Sequence, residues 1–201
     1  MSHDEATVQA KAALRARLGA ARAALTDEQR AAAGRCLRDI VLSLPEAQMA
    51  GTVAAYYAVG TEPPTGSLLY ALWKRGAYVL LPLLAADGDL DWASYDGPDS
   101  VAPRQDGRLG LLEPTAPPRG AAAITRADLI IVPALAVDRR GIRLGRGRGY
   151  YDRALARVGA PVPTVALLYD AELLDEVPAA AHDRPVAMAA RPATGITTLP
   201  C

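Results

Sequence analysis

The chain of 201 residues has no Phe, only two Cys, and charges that cancel, with 22 Lys and Arg against 22 Asp and Glu. Each shortage excludes something. Two Cys cannot make a disulfide framework. Cys36 falls in a predicted helix and Cys201 is the last residue, so a reducing, cytoplasmic setting is expected. A net charge of +0 gives no global field that would draw nucleic acid. No apolar run approaches the roughly 20 residues that a membrane span needs. The first residues, Met-Ser-His-Asp-Glu, lack the basic-then-apolar pattern of a secretory signal. The missing Phe, beside abundant Ala and Arg, reads as the bias of a GC-rich genome and carries no functional signal. No repeat, low-complexity linker or compositional break divides the chain, so one domain over residues 1–201 is expected, as a monomer or weak homo-oligomer.

What is present is an ordinary globular mixture, 51% hydrophobic and 22% charged, enough for a sizeable core. Thr7 to about Leu25 has helical spacing, with Lys11 and Arg15 four apart on one face and Arg22 continuing the stripe. Thr26 with Gln29 forms a capping box for a second helix to about Leu44, before Pro45. Strands are predicted at Thr52–Tyr57, Tyr78–Leu81, Asp128–Val132, Pro163–Leu168 and Val186–Ala190, with a weaker one at Asp89–Tyr95. Helices are predicted at Ser67–Lys74 and Tyr150–Val158, with a short one at Glu172–Glu176. The stretch from Gly97 to Pro118 reads as irregular loop. Strands alternating with helices imply an α/β protein of three layers, α/β/α, around a largely parallel sheet covered on both faces.

The densest chemistry lies in Gly141–Asp152, with three alternating glycines, three arginines, two tyrosines and a carboxylate. Gly145, Gly147 and Gly149 leave backbone N–H groups open to an anion. Arg143, Arg146 and Arg148 add planar forks that match phosphate oxygens. Asp152 supplies one hard oxygen ligand where a phosphate-bound metal would sit. The segment therefore reads as a polyphosphate cradle between a buried strand and a helix start. It lacks the Gly-Lys-Ser/Thr ending of the large NTPase loop and the glycine spacing of the dinucleotide fingerprint. A solvated basic turn is the plain structural alternative.

Five segments, in order, resemble the 5-formyltetrahydrofolate cyclo-ligase (5,10-methenyltetrahydrofolate synthetase) family. They are Lys11–Arg15, Tyr57 through Glu62–Thr65, Gly110–Pro114, the loop Arg143–Arg153, and Val177-Pro178 with His182-Asp183. The resemblance implies a fold related to sugar-phosphate isomerases and CoA transferases. It also implies ATP- and Mg2+-dependent cyclisation of 5-formyltetrahydrofolate to 5,10-methenyltetrahydrofolate, with release of ADP and phosphate after phosphorylation of the formyl oxygen.

By the same resemblance, the ATP contacts are Lys11, Arg15, Arg143, Leu144, Gly145, Arg146, Gly147, Arg148, Gly149, Tyr150 and Tyr151. Tyr57, Glu62 and the segment Arg146, Gly147, Arg148, Gly149 and Tyr150 face the folate. Arg148 and Tyr151 are assigned to catalysis, and Asp152 and Asp183 to the metal. His182 is read as structural, orienting the loop that carries Asp183. Without the resemblance, Lys11 and Arg15 fit a solvated helix face, Asp152 a helix first-turn acid, Asp183 a turn residue, Glu62 a surface acid and Tyr57 a buried strand aromatic. Glu172 stands where many members have Gln, and Arg191 near where many have Thr. These departures leave room for a paralogue that binds ATP but acts on another substrate. A sugar-phosphate isomerase would share the fold without needing ATP, and Arg/Gly-loop recognition of nucleic acid conflicts with the net charge.

Overall fold

The computed structural model describes residues 3–104, 112–159, 162–180 and 183–200. The main sheet has seven strands, β1 (Thr52–Ala54), β2 (Tyr78–Leu84), β3 (Leu90–Tyr95), β6 (Leu129–Pro133), β9 (Thr164–Leu167), β11 (Met188–Arg191) and β12 (Gly195–Thr198), in the order β12-β11-β9-β6-β1-β2-β3. The five inner strands are parallel, while β12 and β3 pair antiparallel at the two edges. The order runs one way from β1 to β2 and the other way from β1 to β6. Such a reversal opens a crevice at the carboxyl ends of the two strands.

The period-2 alternation of side chains explains the layers. Val53, Val79, Leu81, Leu129, Ile131, Val165 and Leu167 enter one core. It is closed by α2 (Asp27–Ser43), α3 (Pro45–Met49) and α4 (Gly66–Lys74) through Leu37, Val41, Ala47, Leu68, Leu69 and Leu72. The intervening residues Ala54, Leu80, Ile130, Val132 and Ala166 enter the opposite core with Trp92, Ile124 and Leu155. Each buried aliphatic side chain there contributes about 1.5–3 kcal/mol. The expected α/β architecture with both faces covered is what forms, its interior built almost wholly from aliphatic residues.

Several boundaries differ from the sequence reading, for identifiable reasons. Strand β2 continues through Pro82 because β1 pairs only as far as Leu80, so no neighbour on that side requires the missing N–H. The predicted loop at Gly97–Pro118 contains the antiparallel pair β4 (Val101–Pro103) and β5 (Leu112–Pro114). The stretch predicted as a helix at Glu172–Glu176 instead ends a 3-10 turn at Glu172 and continues as β10 (Leu173–Leu174). Strand β11 is followed by β12 and is not the final strand. The Thr26–Gln29 capping box forms as predicted, starting α2 at Asp27.

A second, three-stranded sheet was not foreseen. It pairs β10 with β7 (Ala136–Asp138) and β8 (Arg143–Leu144), in the order β10-β7-β8. The long helix α1 (His3–Ala23) seats Leu18 and Leu14 against Ala136, Leu144 and Val177 of this unit. That seating carries Lys11 and Arg15 to the sheet's carboxyl edge.

Candidate functional site

The carboxyl edge of the sheet opens into a cavity of about 860 Å³. Its walls come from residues just past β1 (Tyr56, Tyr57, Glu62), just past β6 (Ala134, Leu135), from α1 (Lys11, Arg15, Arg22) and from the continuous segment Arg143–Asp152, with Asp183 closing one side. Sequence-distant groups meet here because the parallel strands all end on one edge. Each of the proposed ATP, folate and metal residues lines this cavity. His182 lies outside the described residues.

Four of the side chains already hold partners. Lys11 Nζ donates to Asp183 Oδ2 at 2.6 Å. Arg15 Nε donates to the carbonyl of Gly145 at 2.8 Å. Arg143 Nη2 donates to Asp152 Oδ1 at 2.8 Å, while Arg143 Nε is buried without a partner among the described residues. Arg146 Nε donates to Glu62 Oε1 at 3.0 Å. The backbone N–H of Arg184 reaches the same Asp152 Oδ1 at 3.3 Å, so the segment carrying Asp183 adjoins Asp152. Asp152 Oδ2 accepts no hydrogen bond among the described residues.

The loop's shape comes from two of its glycines. Gly147 and Gly149 have φ of 91° and 65°, which L side chains rarely adopt. A Cβ on Gly147 would stand 3.1 Å from the Arg15 guanidinium carbon, so this glycine also makes room for α1's cation. Gly145 has neither constraint, with no positive φ and open space where a Cβ would stand. Only Gly147 and Gly149 are thus required by backbone conformation, while Gly145 simply leaves its surroundings open. The helix after the loop, α5 (Tyr150–Ala156), is only seven residues long. So short a helix adds little dipole, and the positive field along this segment comes mainly from its side-chain cations and loop amides.

Tyr56 and Tyr151 have buried hydroxyls with no partner among the described residues. Burial, reinforced by the negative charge of Glu62, pushes both phenols well above the usual tyrosine range, against the opposing pull of Arg22 on Tyr56 and Arg143 on Tyr151. Both are held protonated and can act only as neutral hydrogen-bonding groups.

In the cavity wall, Arg22 is 1% exposed and pairs with Glu172, which lies behind it, through Nε at 2.6 Å and Nη2 at 2.8 Å. The same Nη2 reaches the carbonyl of Ala134 at 2.6 Å, and Glu172 Oε2 also accepts the backbone N–H of Tyr169 at 2.8 Å. Arg22 continues the Lys11 and Arg15 stripe of the sequence, but it was not among the site residues. The sequence signal that could have marked it is the charged Glu172, an acid in need of a partner. Arg191 does not line the cavity; it ties β11 to the sheet edge through Thr197 Oγ1 at 3.2 Å. The apolar end of the cavity, Val8, Pro82, Leu84, Leu90 and Leu112, was also missed. Of these only Leu112 lies in a segment of the resemblance, Gly110–Pro114; nothing in the sequence distinguishes Pro82, Leu84 and Leu90 from ordinary core residues.

A model of the 5-formyltetrahydrofolate cyclo-ligase family matches residues 7–192. The chain belongs to the 5-formyltetrahydrofolate cyclo-ligase family. Among its relatives, the 5-formyltetrahydrofolate cyclo-ligase of Mycolicibacterium smegmatis is 44% identical over 153 residues, which are 74% of this chain and 77% of that protein. The protein of the same name from Escherichia coli K12 is 32% identical over 168 residues, covering 82% of this chain and 91% of that one. Among solved structures, the 5,10-methenyltetrahydrofolate synthetase of Aquifex aeolicus superposes with a TM-score of 0.79 at 27% identity, covering 94% of this chain and 92% of that one. The family implied by the five sequence segments, and the α/β fold with a largely parallel sheet, are thus the ones found.

Proposed function

We propose that this cyclo-ligase family member converts 5-formyltetrahydrofolate to 5,10-methenyltetrahydrofolate, consuming ATP in the presence of Mg2+ and releasing ADP and phosphate. The observation that carries the reading is the single cavity in which Lys11, Arg15 and the Arg143–Asp152 segment face Glu62 and Tyr57. A polyanion and a flat heterocycle with N–H donors are the two ligand types such walls accept. The names of the relatives supply the folate.

The residues fit a phosphate-bound metal better than a metal held by protein alone. Among the described residues no group of three or more His, Cys, Asp or Glu could hold a cation. Asp152 and Asp183 are two carboxylates on adjoining segments, and Mg2+ typically takes one or two protein carboxylates with phosphate oxygens and water. When bound, Mg2+ would offset the charge of the phosphate oxygens during transfer.

The formamide oxygen leaves poorly until it carries a phosphoryl group; the neighbouring folate N–H nitrogen then adds to the same carbon, its proton passes to a phosphate oxygen, and phosphate departs with the formyl oxygen. This chain's part is positioning and charge neutralisation. Lys11, Arg15, Arg143 and Arg148 surround the transferring phosphate with positive charge, the buried unpaired Nε of Arg143 being one donor without a partner. Glu62 accepts N–H groups from the pterin edge. Tyr151, kept protonated, offers a neutral donor beside the reacting centre. The apolar end limits water, which would otherwise hydrolyse the activated formyl group. No step requires a general base. An exposed thiol at Cys36 suits a cytoplasmic setting; among the described residues no helix is long and apolar enough to cross a membrane.

The paralogue alternative gains no support from Glu172, because both of its oxygens are engaged by Arg22 behind the cavity. The deciding experiment mixes purified protein with 5-formyltetrahydrofolate, ATP and Mg2+ and follows the absorbance of the methenyl product, with each component omitted in turn. Product requiring all three is expected. Intact ATP binding without product would overturn the proposal.

A further inference from the structure

Glu62 and Arg146 hold each other, although Glu62 is assigned to the folate and Arg146 belongs to the loop assigned to the phosphates. Arg146 donates Nε to Glu62 Oε1 at 3.0 Å and Nη2 to the carbonyl of Val59 at 3.3 Å. The other oxygen of Glu62, Oε2, accepts the backbone N–H of Val59 at 2.8 Å. Both carboxylate oxygens are therefore engaged, one by the loop's own backbone and the other by a side chain from the phosphate loop.

The two partners differ in freedom. The Glu62 side chain is 9% exposed and that of Arg146 is 48% exposed. The loop under Glu62 is braced, since Thr65 Oγ1 accepts the N–H of Ala58 at 2.9 Å and donates to the carbonyl of Tyr56 at 2.9 Å. In any exchange the carboxylate stays and the arginine swings. A half-exposed ion pair is weakly held. A polyphosphate offers several negative oxygens matched to the planar guanidinium and outcompetes a single carboxylate. Once Arg146 leaves, Glu62 is a nearly buried carboxylate with its Oε1 unpaired, a state relieved by any ligand bringing N–H donors.

We infer that the Arg146–Glu62 pair is a gate coupling the two substrate sites. Polyphosphate draws Arg146 away, uncaps Glu62 and thereby tightens the pterin site; by linkage, the folate tightens nucleotide binding by the same factor. The gate rests on the proposed reading of Glu62 as the folate acid and of the Gly/Arg loop as the phosphate cradle. It favours nucleotide binding before folate.

The test is calorimetric titration of 5-formyltetrahydrofolate into the full chain, without nucleotide, with a saturating non-hydrolysable ATP analogue, and with inorganic tripolyphosphate. In the unaltered chain both additives should tighten folate binding by about tenfold, within the usual range of coupling between sites. In Arg146→Met the folate should bind equally with and without them, whatever its affinity in their absence. Arg146→Lys, with a point charge but no planar fork, should show an intermediate gain and serves if the Met variant folds poorly. Folate binding that ignores both additives in the unaltered chain, or the same gain in Arg146→Met, would overturn the gate alone. An unaltered chain that binds no folate under any condition would overturn the gate and the proposed function together.

Discussion

Replacing Glu172 by Ala should destabilise this protein more than any change at the cavity rim. The substitution leaves Arg22, 1% exposed, with an uncompensated guanidinium. It removes two charge-assisted bonds of 2.6 and 2.8 Å and the acceptor of the Tyr169 N–H. One bond, from Arg22 Nη2 to the carbonyl of Ala134, survives. Breaking one half of a buried pair typically costs about 3–5 kcal/mol, because the remaining charge keeps its desolvation penalty. For a chain of this size that corresponds to a fall in melting temperature of roughly 6–20 °C. Equilibrium urea unfolding measures the loss directly, provided the slope with denaturant is unchanged. The informative comparison is the double variant Arg22→Met with Glu172→Leu. Removing both charges together should recover most of the loss, since buried pairs are often replaceable by apolar residues of similar size. A single variant that loses less than about 1 kcal/mol, or a double variant as unstable as the two singles added, would refute the view that uncompensated charge sets the cost.

Arg148→Ala and Asp152→Asn should each lower ATP-dependent turnover by about a hundredfold or more, with melting temperature changed by only a few degrees; a collapse in stability with per-molecule activity preserved would make them structural. Gly147→Ala should raise the KM for ATP severalfold and cost about 1–3 kcal/mol, because it forces a φ of 91° on an L residue and crowds Arg15; unchanged kinetics would remove this glycine from the cradle. Asp138, fully buried, has its carboxyl held below the ordinary range: burial pushes it up, but Arg140 and the backbone N–H groups of Val177, Ile142 and Arg140 pull it further down. A depressed folded value contributes stability above the unfolded carboxylate pKa of about 3.9 and loses it as pH falls through the folded value. Unfolding free energy should therefore drop below about pH 4 in the unaltered chain, and less steeply in Asp138→Asn; identical acid slopes would contradict that assignment.

The fold was legible wherever one period dominated. The buried runs of β6 and β9, the capping box at Thr26 and the glycine loop all announce themselves locally. What failed locally was short-strand pairing. Ala136–Asp138 and Arg143–Leu144 are too short for a period, and Asp138, accepting the N–H groups of Arg140, Ile142 and Val177, helps hold their turn together. Missing that hairpin hid the way Arg143 is placed: Val137 pairs with Arg143 across it, fixing the guanidinium beside Asp152.

The resemblance named residues that line one cavity, but not how they pair. Composition shows cations and carboxylates in one chain and cannot say which of them neutralise one another before a ligand arrives. Here Lys11 holds Asp183, Arg143 holds Asp152 and Arg146 holds Glu62. Residues assigned to the phosphates are thus paired with residues assigned to metal and folate. That arrangement spares the cavity the cost of like charges gathered in partial burial. On the proposed reading, nucleotide and folate would each displace an internal partner, so the affinity for one would be tied to the presence of the other. Of the three pairs, Arg146–Glu62 has the most exposed cation, which makes its exchange the least costly of the three.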